Sequence, residues 1–228
     1  MPEMTYKDLL RRRAIPKDAG RIGSAGRGNI DKTGCIYHVI TKSFDGGTVF
    51  HQDSGDYRHN LLCRLCEERG ITILFSVTMN NHTHDVLLVP DWEQLVAVYR
   101  ILNLNVSKYL RRKYPRRFKS GMRVLRRFPT YIVVRDIVNL FCLGKYIYDN
   151  PAYMREEGKF VPHSCFWMFE REYFSEPYDE RLYVSLFGMT AREMLDIYSS
   201  LSAEQVRDIA VERFRHWTEE RTRAVFYR

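Results

Sequence analysis

The sequence predicts an α+β fold: a ferredoxin-like (split βαβ) antiparallel sheet with an added helix and a mostly helical C-terminal extension. Short runs rich in β-branched and aromatic residues alternate with segments of helical apolar spacing, in the order β-α-β-β-α-β and then α. That order is the ferredoxin-like one. The chain has 228 residues and is 45% hydrophobic, so it can build a core, and wholesale disorder is excluded.

Four strands are predicted, at 35–42 (CIYHVITK), 71–79 (ITILFSVTM), 82–89 (HTHDVLLV) and 130–134 (TYIVV). Asn80 and Asn81 favour a tight hairpin between the second strand and the third. The helices are predicted at 53–69, at 91–113 and from Asp136, as the N-cap, to about 150. Pro151 is expected to end the last of these, because proline cannot continue a helix.

We divide the chain into three parts: a basic N-terminal arm (1–34), a core domain (35–151) and a mostly helical C-terminal extension (152–228). Two interpretations of the arm stay open: a disordered terminus, or a segment that contacts phosphates through Arg11, Arg12 and Arg13. The extension is richer in Glu and Asp. It contains two capping-box patterns, Thr190-x-x-Glu193 and Ser202-x-x-Gln205, which are typical of helix starts.

The net charge of +8 favours a polyanionic partner, either nucleic acid or an anionic membrane surface. No apolar run reaches the roughly 18–20 residues that span a bilayer, and the N-terminus carries no signal-peptide core. The five cysteines are scattered and odd in number, which suits a reducing compartment. We therefore expect a soluble, cytoplasmic protein that does not engage a membrane.

The strongest charge pattern is a basic stretch of twenty residues, 108–127, that contains no acid. Aromatic residues are interleaved with its cations, at Tyr109, Tyr114 and Phe118 and just beyond it at Phe128. Such alternation fits a single-stranded nucleic-acid groove, where cations bind phosphates and rings stack on bases. A solvated basic loop is the alternative. The predicted DNA-binding residues of the stretch are Lys108, Arg111, Arg112, Lys113, Arg116, Arg117, Lys119, Arg123, Arg126 and Arg127.

Two histidines stand two residues apart in the third strand, in Asn81-His82-Thr83-His84. Side chains alternate along a strand, so His82 and His84 are expected on one face. Neutral imidazole is a common metal ligand, and two of them supply two-thirds of a facial metal site. The alternative is that both are polar residues of a wet hairpin turn.

Tyr146 and Asn150 are four residues apart on the last predicted helix of the core domain, so they share a helix face. The Asn150 amide oxygen would complete a three-ligand set for a hard divalent cation, with His82 and His84. The Tyr146 phenol would be the nucleophile, activated by the cation that neutralises a phosphate. Alternatively, Tyr146 is a core aromatic and Asn150 ends the helix before proline.

These segments together resemble the REP-associated tyrosine transposase family, relatives of the single-strand DNA transposases in the HUH endonuclease superfamily. The resemblance rests on IYHVITK, the helix after Gly55-Asp56, MNNHTHDVLLVP and YIYDNP. It spans roughly residues 20–165. The order of the histidine motif and the later tyrosine motif is its most specific feature.

The resemblance implies a metal-dependent single-stranded DNA endonuclease and strand transferase that forms a 5′-phosphotyrosine and frees a 3′-OH. Matched by position, His82, His84 and Asn150 hold Mg²⁺ or Mn²⁺ and Tyr146 is the nucleophile, with Tyr148 a distant second. The expected substrate is single-stranded or hairpin DNA. The tyrosine helix could serve its own chain or a partner's, so both a monomer and a homodimer stay open.

The chain departs from the family pattern around the histidines, with Asn80 where Pro is usual and Thr83 where a hydrophobic residue is usual. Asp85, also at a usually apolar position, predicts a wetter opposite face of the strand. Two other functions stay open: a catalytically inactive, sequence- or hairpin-specific nucleic-acid-binding protein on the same fold, and a zinc-stabilised module. The zinc module is disfavoured because no Cys lies close in sequence to the histidines.

Overall fold

The computed structural model describes residues 35–156 and 163–227. Within them, one antiparallel sheet has the strand order β4-β1-β3-β2-β5, with β1 Ile36–Lys42, β2 Thr72–Thr78, β3 His82–Leu88, β4 Thr130–Val134 and β5 His163–Ser164. The order of the first four strands is that of the ferredoxin-like fold, so the predicted fold class is confirmed. β5 was not predicted, because two residues carry no strand periodicity.

Two long helices cover one face of this sheet: α1 (Gln52–Glu67) and α2 (Trp92–Lys113). We call it the α1–α2 face. Side chains of β1 and β4 with odd numbers point to it. There Tyr37 packs on Trp92, with ring centroids 5.5 Å apart, and Tyr131 packs edge-on to Tyr99 at 6.0 Å. The apolar spacing that predicted α2 therefore matches its buried stripe.

The other sheet face carries α3 (Ile137–Glu156), and we call it the α3 face. After α3 and β5 come α4 (Phe166–Arg171), α5 (Glu180–Phe187), α6 (Ala191–Ser200), α7 (Ala203–Arg213) and α8 (Glu219–Phe226). The capping boxes predicted at the starts of α6 and α7 are both formed. Most of the predicted extension is thus helical.

The C-terminal helices hold α3 against the sheet. A Cβ on Gly144 would lie 2.3 Å from the Tyr198 hydroxyl and 2.8 Å from the Phe75 ring, so only glycine fits there. The next residue, Lys145, is buried and donates hydrogen bonds to the Tyr198 carbonyl at 2.8 Å and to Asp149 at 2.6 Å. The extension therefore fixes the position of the helix that carries Tyr146.

The predicted end of α3 at Pro151 is wrong, because the helix continues to Glu156 with the proline inside it. A proline in a helix removes one backbone donor and crowds the carbonyl four residues earlier. The carbonyl that loses its donor here is that of Ile147, and the Asn150 side chain donates to the preceding carbonyl, that of Tyr146, at 2.7 Å. Buried Phe141 and Ile147 anchor the same helix to the core.

The prediction of a wet face opposite the histidines is also wrong. Asp85 is fully buried on the α1–α2 face and forms a two-pronged ion pair with Arg58, which is 1% exposed. Tyr99 and Ser76 donate to the same carboxylate at 2.7 and 2.8 Å. A buried charge is tolerated only when it is paired and hydrogen-bonded, and four donor contacts meet that condition here.

No helix in the described ranges is both long and apolar enough to cross a membrane.

Candidate metal and tyrosine site

The sheet places both predicted metal-ligating histidines on the α3 face. In the β1–β3 ladder, Ile40 lies opposite His84 and Lys42 lies opposite His82. Residues opposite each other in an antiparallel pair share a face, as do residues two apart along one strand. The even-numbered residues of β1 therefore line up beside the two histidines.

Helix α3 brings Tyr146 to the same place. The Tyr146 ring meets the His84 ring edge-on, with centroids 5.4 Å apart and an interplanar angle of 87°. The rings of His82 and His84 are 4.9 Å apart. Tyr148 instead packs its ring on Phe166 in the C-terminal extension, at 5.3 Å. Of the two neighbouring tyrosines, Tyr146 is thus the one in contact with a histidine of β3.

The tautomer of His82 is fixed by its neighbour in the hairpin. His82 Nδ1 lies 2.6 Å from the amide oxygen of Asn81, which can only accept, so Nδ1 carries the proton. The Asn81 amide nitrogen donates to the Gly46 carbonyl at 3.0 Å, which orients that side chain. In this tautomer, Nε2 is the ring nitrogen of His82 that can coordinate a cation.

His84 has an outer partner that the sequence did not reveal. His38 of β1 places Nε2 2.8 Å from His84 Nδ1, and the two rings stack with centroids 5.1 Å apart. Burial lowers the pKa of His38 to about 4, against a smaller opposing effect of Asp85, so the His38 ring is neutral at pH 7. A neutral His38 can accept from His84 Nδ1–H, and His84 Nε2 is then the coordinating nitrogen.

Asn150 lies one helical turn after Tyr146 and contacts it directly. Its amide nitrogen donates to the Tyr146 carbonyl, so its oxygen is the atom suited to a cation. Burial raises the pKa of the Tyr146 phenol, and a hydrogen bond from the Asn150 side chain opposes that effect. The phenol therefore ionises less readily than in water.

The donor set fits a hard divalent cation. Two imidazoles and one amide oxygen leave coordination positions for water and a phosphate oxygen. In the part of the chain that the structure describes, no cluster of three or more His, Cys, Asp or Glu side chains could hold a metal. A structural zinc site of the usual kind is therefore not found among those residues.

The predicted DNA-binding cations lie on the last turns of α2 and in the loop that follows. Part of this basic stretch lines a shallow depression of about 450 Å³, formed by Lys108, Arg111, Arg112, Pro115, Phe118 and Ser120. Among the described residues, Lys113 is the one member of the stretch that pairs with a carboxylate, that of Asp53 at 3.6 Å. Arg11, Arg12 and Arg13 lie outside the described residues.

Three of the four aromatic residues of the stretch have structural partners. Tyr109 and Tyr114 donate to Asp53 at 3.1 and 2.7 Å, and Phe118 is 5% exposed. Phe118 is therefore not accessible to a base, whereas Tyr109 and Tyr114 are half-buried and their hydroxyl groups are bound by Asp53. Phe128 is 60% exposed and stays available to a ligand.

The basic stretch reaches the edge of the histidine site through the backbone. Phe44 N donates to the Val124 carbonyl and Arg126 N donates to the Lys42 carbonyl, both at 2.9 Å. Lys42 is the residue opposite His82 across β1. The loop therefore runs two strand spacings from His82, or about 10 Å.

Comparison with family models finds one match, which covers part of the chain. Residues 31–128 match the family model described as "Transposase IS200 like". This range contains β1 to β3, α1, α2 and both site histidines. It ends before β4 and α3, so Tyr146 and Asn150 lie beyond it.

Two solved structures are similar to the chain. One is a REP-associated tyrosine transposase bound to a REP hairpin, 15% identical, with a TM-score of 0.48 over 67% of this chain and 89% of that one. The other is a transposase-like protein from Deinococcus radiodurans, 16% identical, with a TM-score of 0.38 over 56% of this chain and 97% of that one. No curated protein sequence matches.

Proposed function

We propose that the chain is a member of the IS200-like transposase family, whose model matches residues 31–128. We propose further that it is a metal-dependent single-stranded DNA endonuclease and strand transferase. Tyr146 is the proposed nucleophile, and single-stranded DNA that carries a hairpin is the proposed substrate. Tyr146 contacts His84 of its own chain, and this contact supports a monomer as the active unit. All five cysteines are free thiols, in keeping with a cytoplasmic protein.

His82, His84 and Asn150 are the residues proposed to hold Mg²⁺ or Mn²⁺. A bound divalent cation would neutralise a phosphate oxygen and stabilise the charge that develops during transfer. Asn81 accepts from His82 Nδ1–H, and a neutral His38 that accepts from His84 Nδ1–H would leave Nε2 of both imidazoles for the cation. Outer partners of this kind keep a ligand set in place before the metal arrives.

In the proposed reaction, the Tyr146 oxygen attacks the phosphorus of one phosphodiester. A bond forms between that oxygen and phosphorus, and the bond from phosphorus to the 3′-oxygen breaks. The phenol gives up its proton, and the departing 3′-oxygen is protonated to a 3′-OH. One phosphodiester replaces another, so a 3′-OH can reverse the step without ATP.

The observation that carries this proposal is the edge-on contact of Tyr146 with His84 beside His82. A protein that only binds DNA has no need of a phenol next to two imidazoles with fixed tautomers. The basic stretch supports DNA as the substrate. Nine of its ten cations pair with no carboxylate among the described residues, and like charges repel one another unless a polyanion binds them. A catalytically inactive hairpin-binding protein is the competing function, and the same experiment separates the two.

The test is covalent capture of DNA. The full chain is incubated with single-stranded DNA carrying a hairpin and Mn²⁺, and the products are separated on a denaturing gel. We expect a protein–DNA adduct with the wild type and with Tyr148→Phe, and none with Tyr146→Phe or in excess EDTA. Tyr148→Phe is the matched control, because it makes the same chemical change two residues away on α3.

An adduct that Tyr146→Phe forms as well as the wild type would contradict the assignment of the nucleophile. No adduct from the wild type, together with tight binding of the same DNA, would favour the inactive binding protein.

A further inference from the structure

We infer that Phe44 and Phe128 form a base-stacking platform for single-stranded DNA beside the histidine site. This inference rests on the proposed function, since it names how the same substrate is held. Phe44 lies outside the basic stretch and was not predicted to bind DNA. Phe128 is the one aromatic of the stretch region whose ring stays exposed.

The two rings are unusually open for aromatic side chains. Phe44 is 49% exposed and Phe128 is 60% exposed. Each has an arginine close to its ring: Arg123 lies 5.8 Å from the Phe44 centroid and Arg127 lies 5.1 Å from that of Phe128. An exposed ring beside a guanidinium is the combination that single-stranded DNA grooves use for a base and the adjacent phosphate.

The alternation at the end of β1 places Phe44 on the α3 face. Thr41 and Ser43 are buried, whereas Lys42 and Phe44 are exposed. Lys42 and Phe44 thus continue the face that carries His38. The backbone bond from Phe44 to Val124 continues the pairing of β1 with the loop as far as the bend that begins at Phe44.

Phe128 lies just before the next strand. Thr130 lies opposite Ile40 in the β1–β4 ladder, and Arg126 N donates to the Lys42 carbonyl. Phe128 stands between these two paired residues, in a bend, so its backbone lies at the end of the sheet beside Ile40 and Lys42.

Distance and charge complete the argument. Phe44 follows Lys42, the residue opposite His82, so a nucleotide chain that leaves the site needs to cross only about two strand spacings, or 10 Å, to reach the loop of Phe128. Nothing acidic occurs from residue 108 to residue 135, so the loop that holds Phe128 favours phosphates. Beside Phe44 lies one exposed acid, Asp45, whose carboxylate accepts from Gly47 N at 2.9 Å. A single strand whose scissile phosphate sits at Tyr146 would lay its neighbouring bases on these rings.

The test compares two oligonucleotides of equal length: a mixed-sequence single strand and a matched single strand of abasic sites. Both carry the same phosphates, but only the first has bases to stack. Binding is measured by fluorescence anisotropy without divalent cation, so that no cleavage occurs. Phe44→Ala and Phe128→Ala should each weaken binding of the normal strand about five- to one-hundred-fold. Binding of the abasic strand should not change.

Two controls keep the result specific. Trp167 is a matched exposed ring, 38% exposed and 5.7 Å from the Arg171 guanidinium, on α4. Trp167→Ala should leave both affinities unchanged. Phe128→Leu keeps an apolar side chain but has no π face. Its affinity for the normal strand should therefore fall nearly as much as that of Phe128→Ala. Melting temperatures near the wild-type value would show that each variant is folded, as exposed positions predict.

The inference is overturned if Phe44→Ala and Phe128→Ala keep the wild-type ratio of affinities for the normal and the abasic strand. If both affinities fall by the same factor, the loss indicates an electrostatic or folding effect rather than stacking. Tyr146→Phe separates this inference from the proposed function. The preference for the normal strand over the abasic strand should be unchanged in Tyr146→Phe. If it is, and the wild type forms no adduct, the stacking platform is supported and the proposed chemistry is refuted.

Discussion

His84 and Asp85 are neighbours in β3, yet they serve opposite faces of one sheet in different ways. On the α1–α2 face, Asp85 is surrounded by donors from Arg58, Tyr99 and Ser76. On the α3 face, His84 is oriented by one buried neighbour, His38, and faces the phenol of Tyr146. The first arrangement satisfies the hydrogen-bonding capacity of the Asp85 carboxylate. The second orients the His84 imidazole toward the Tyr146 phenol.

This difference shows how a buried polar cluster can be assigned a role in stability or a role in binding and catalysis. A carboxylate with four internal donor contacts has little capacity left to bind a ligand. Its removal would leave a buried guanidinium without a counter-ion. An imidazole that is hydrogen-bonded through Nδ1 has its Nε2 oriented toward a possible cation. Adjacent substitutions in β3 should therefore have effects of different kinds.

The largest expected effect is on stability, from Asp85→Asn. Loss of the carboxylate charge leaves Arg58 buried without its counter-ion, and we expect the free energy of unfolding to fall by about 3–5 kcal/mol. His84→Asn keeps a donor where His84 Nδ1 is and loses Nε2. It should change the free energy of unfolding by about 1 kcal/mol or less, yet abolish Mn²⁺ binding.

Urea denaturation and Mn²⁺ titration calorimetry of the two variants measure both quantities. Equal destabilisation by the two substitutions, or Mn²⁺ binding retained in His84→Asn, would remove the distinction between the faces.

The next effect concerns His38, which we place outside the metal ligands as a positioning residue. His38→Leu removes the acceptor for His84 Nδ1, and Mn²⁺ affinity should fall about 10- to 100-fold. His38→Gln offers an amide oxygen in a similar place and should recover part of that loss. Calorimetry reads this out without any reaction, and an affinity unchanged in His38→Leu would exclude the role.

A smaller effect is acid sensitivity on the α1–α2 face, where His163 stacks on His59 with centroids 3.6 Å apart. Burial lowers the pKa of His163 to about 4; Asp56 opposes this, and nearby Arg58 adds to it. The unfolded chain, with a histidine pKa of about 6.5, binds the proton first. Stability is therefore full above about pH 6.5 and falls as the pH drops toward about 4.

His163→Gln should make the loss of stability between pH 6.5 and 5 smaller by about 1–2 kcal/mol. Thermal melts across this range, compared with the wild type, provide the measurement. A pH profile parallel to that of the wild type would mean that other groups account for the acid sensitivity.

The smallest effect is on the salt dependence of DNA binding at the open end of the α3 face. Arg126→Gln should lower the slope of log affinity against log salt by about 1, because one phosphate contact is lost. Arg64→Gln is the control: Arg64 is an exposed cation of α1, away from the site. A slope that falls equally in both variants would indicate a diffuse charge effect rather than a contact.

Local patterns were sufficient to predict much of the fold and part of the site. Alternation along β3 placed His82 and His84 on one face, and helical spacing placed Tyr146 near Asn150. The features that were missed depend on pairing between distant segments. His38 meets His84 only through the β1–β3 register, 46 residues away, and Arg58 meets Asp85 only through the packing of α1 on the sheet.

A histidine in a buried first strand was a signal for His38 that sequence reasoning could have weighed. The error at Asp85 has a similar origin, since a carboxylate in a strand looks solvated until its buried partner is known. Phe44 and Phe128 were distinguished from Tyr109 and Tyr114 only by exposure, which the sequence does not contain. Pro151 shows that tertiary packing can carry a helix past a residue that disfavours it.

The most direct test of the central claim is to identify the residue that becomes linked to DNA. The adduct formed with Mn²⁺ is digested with protease and nuclease, and the modified peptide is sequenced by mass spectrometry. We predict a nucleotide phosphate on Tyr146 and none on Tyr148. A phosphate on Tyr148, or on any tyrosine that does not face His82 and His84, would contradict the account.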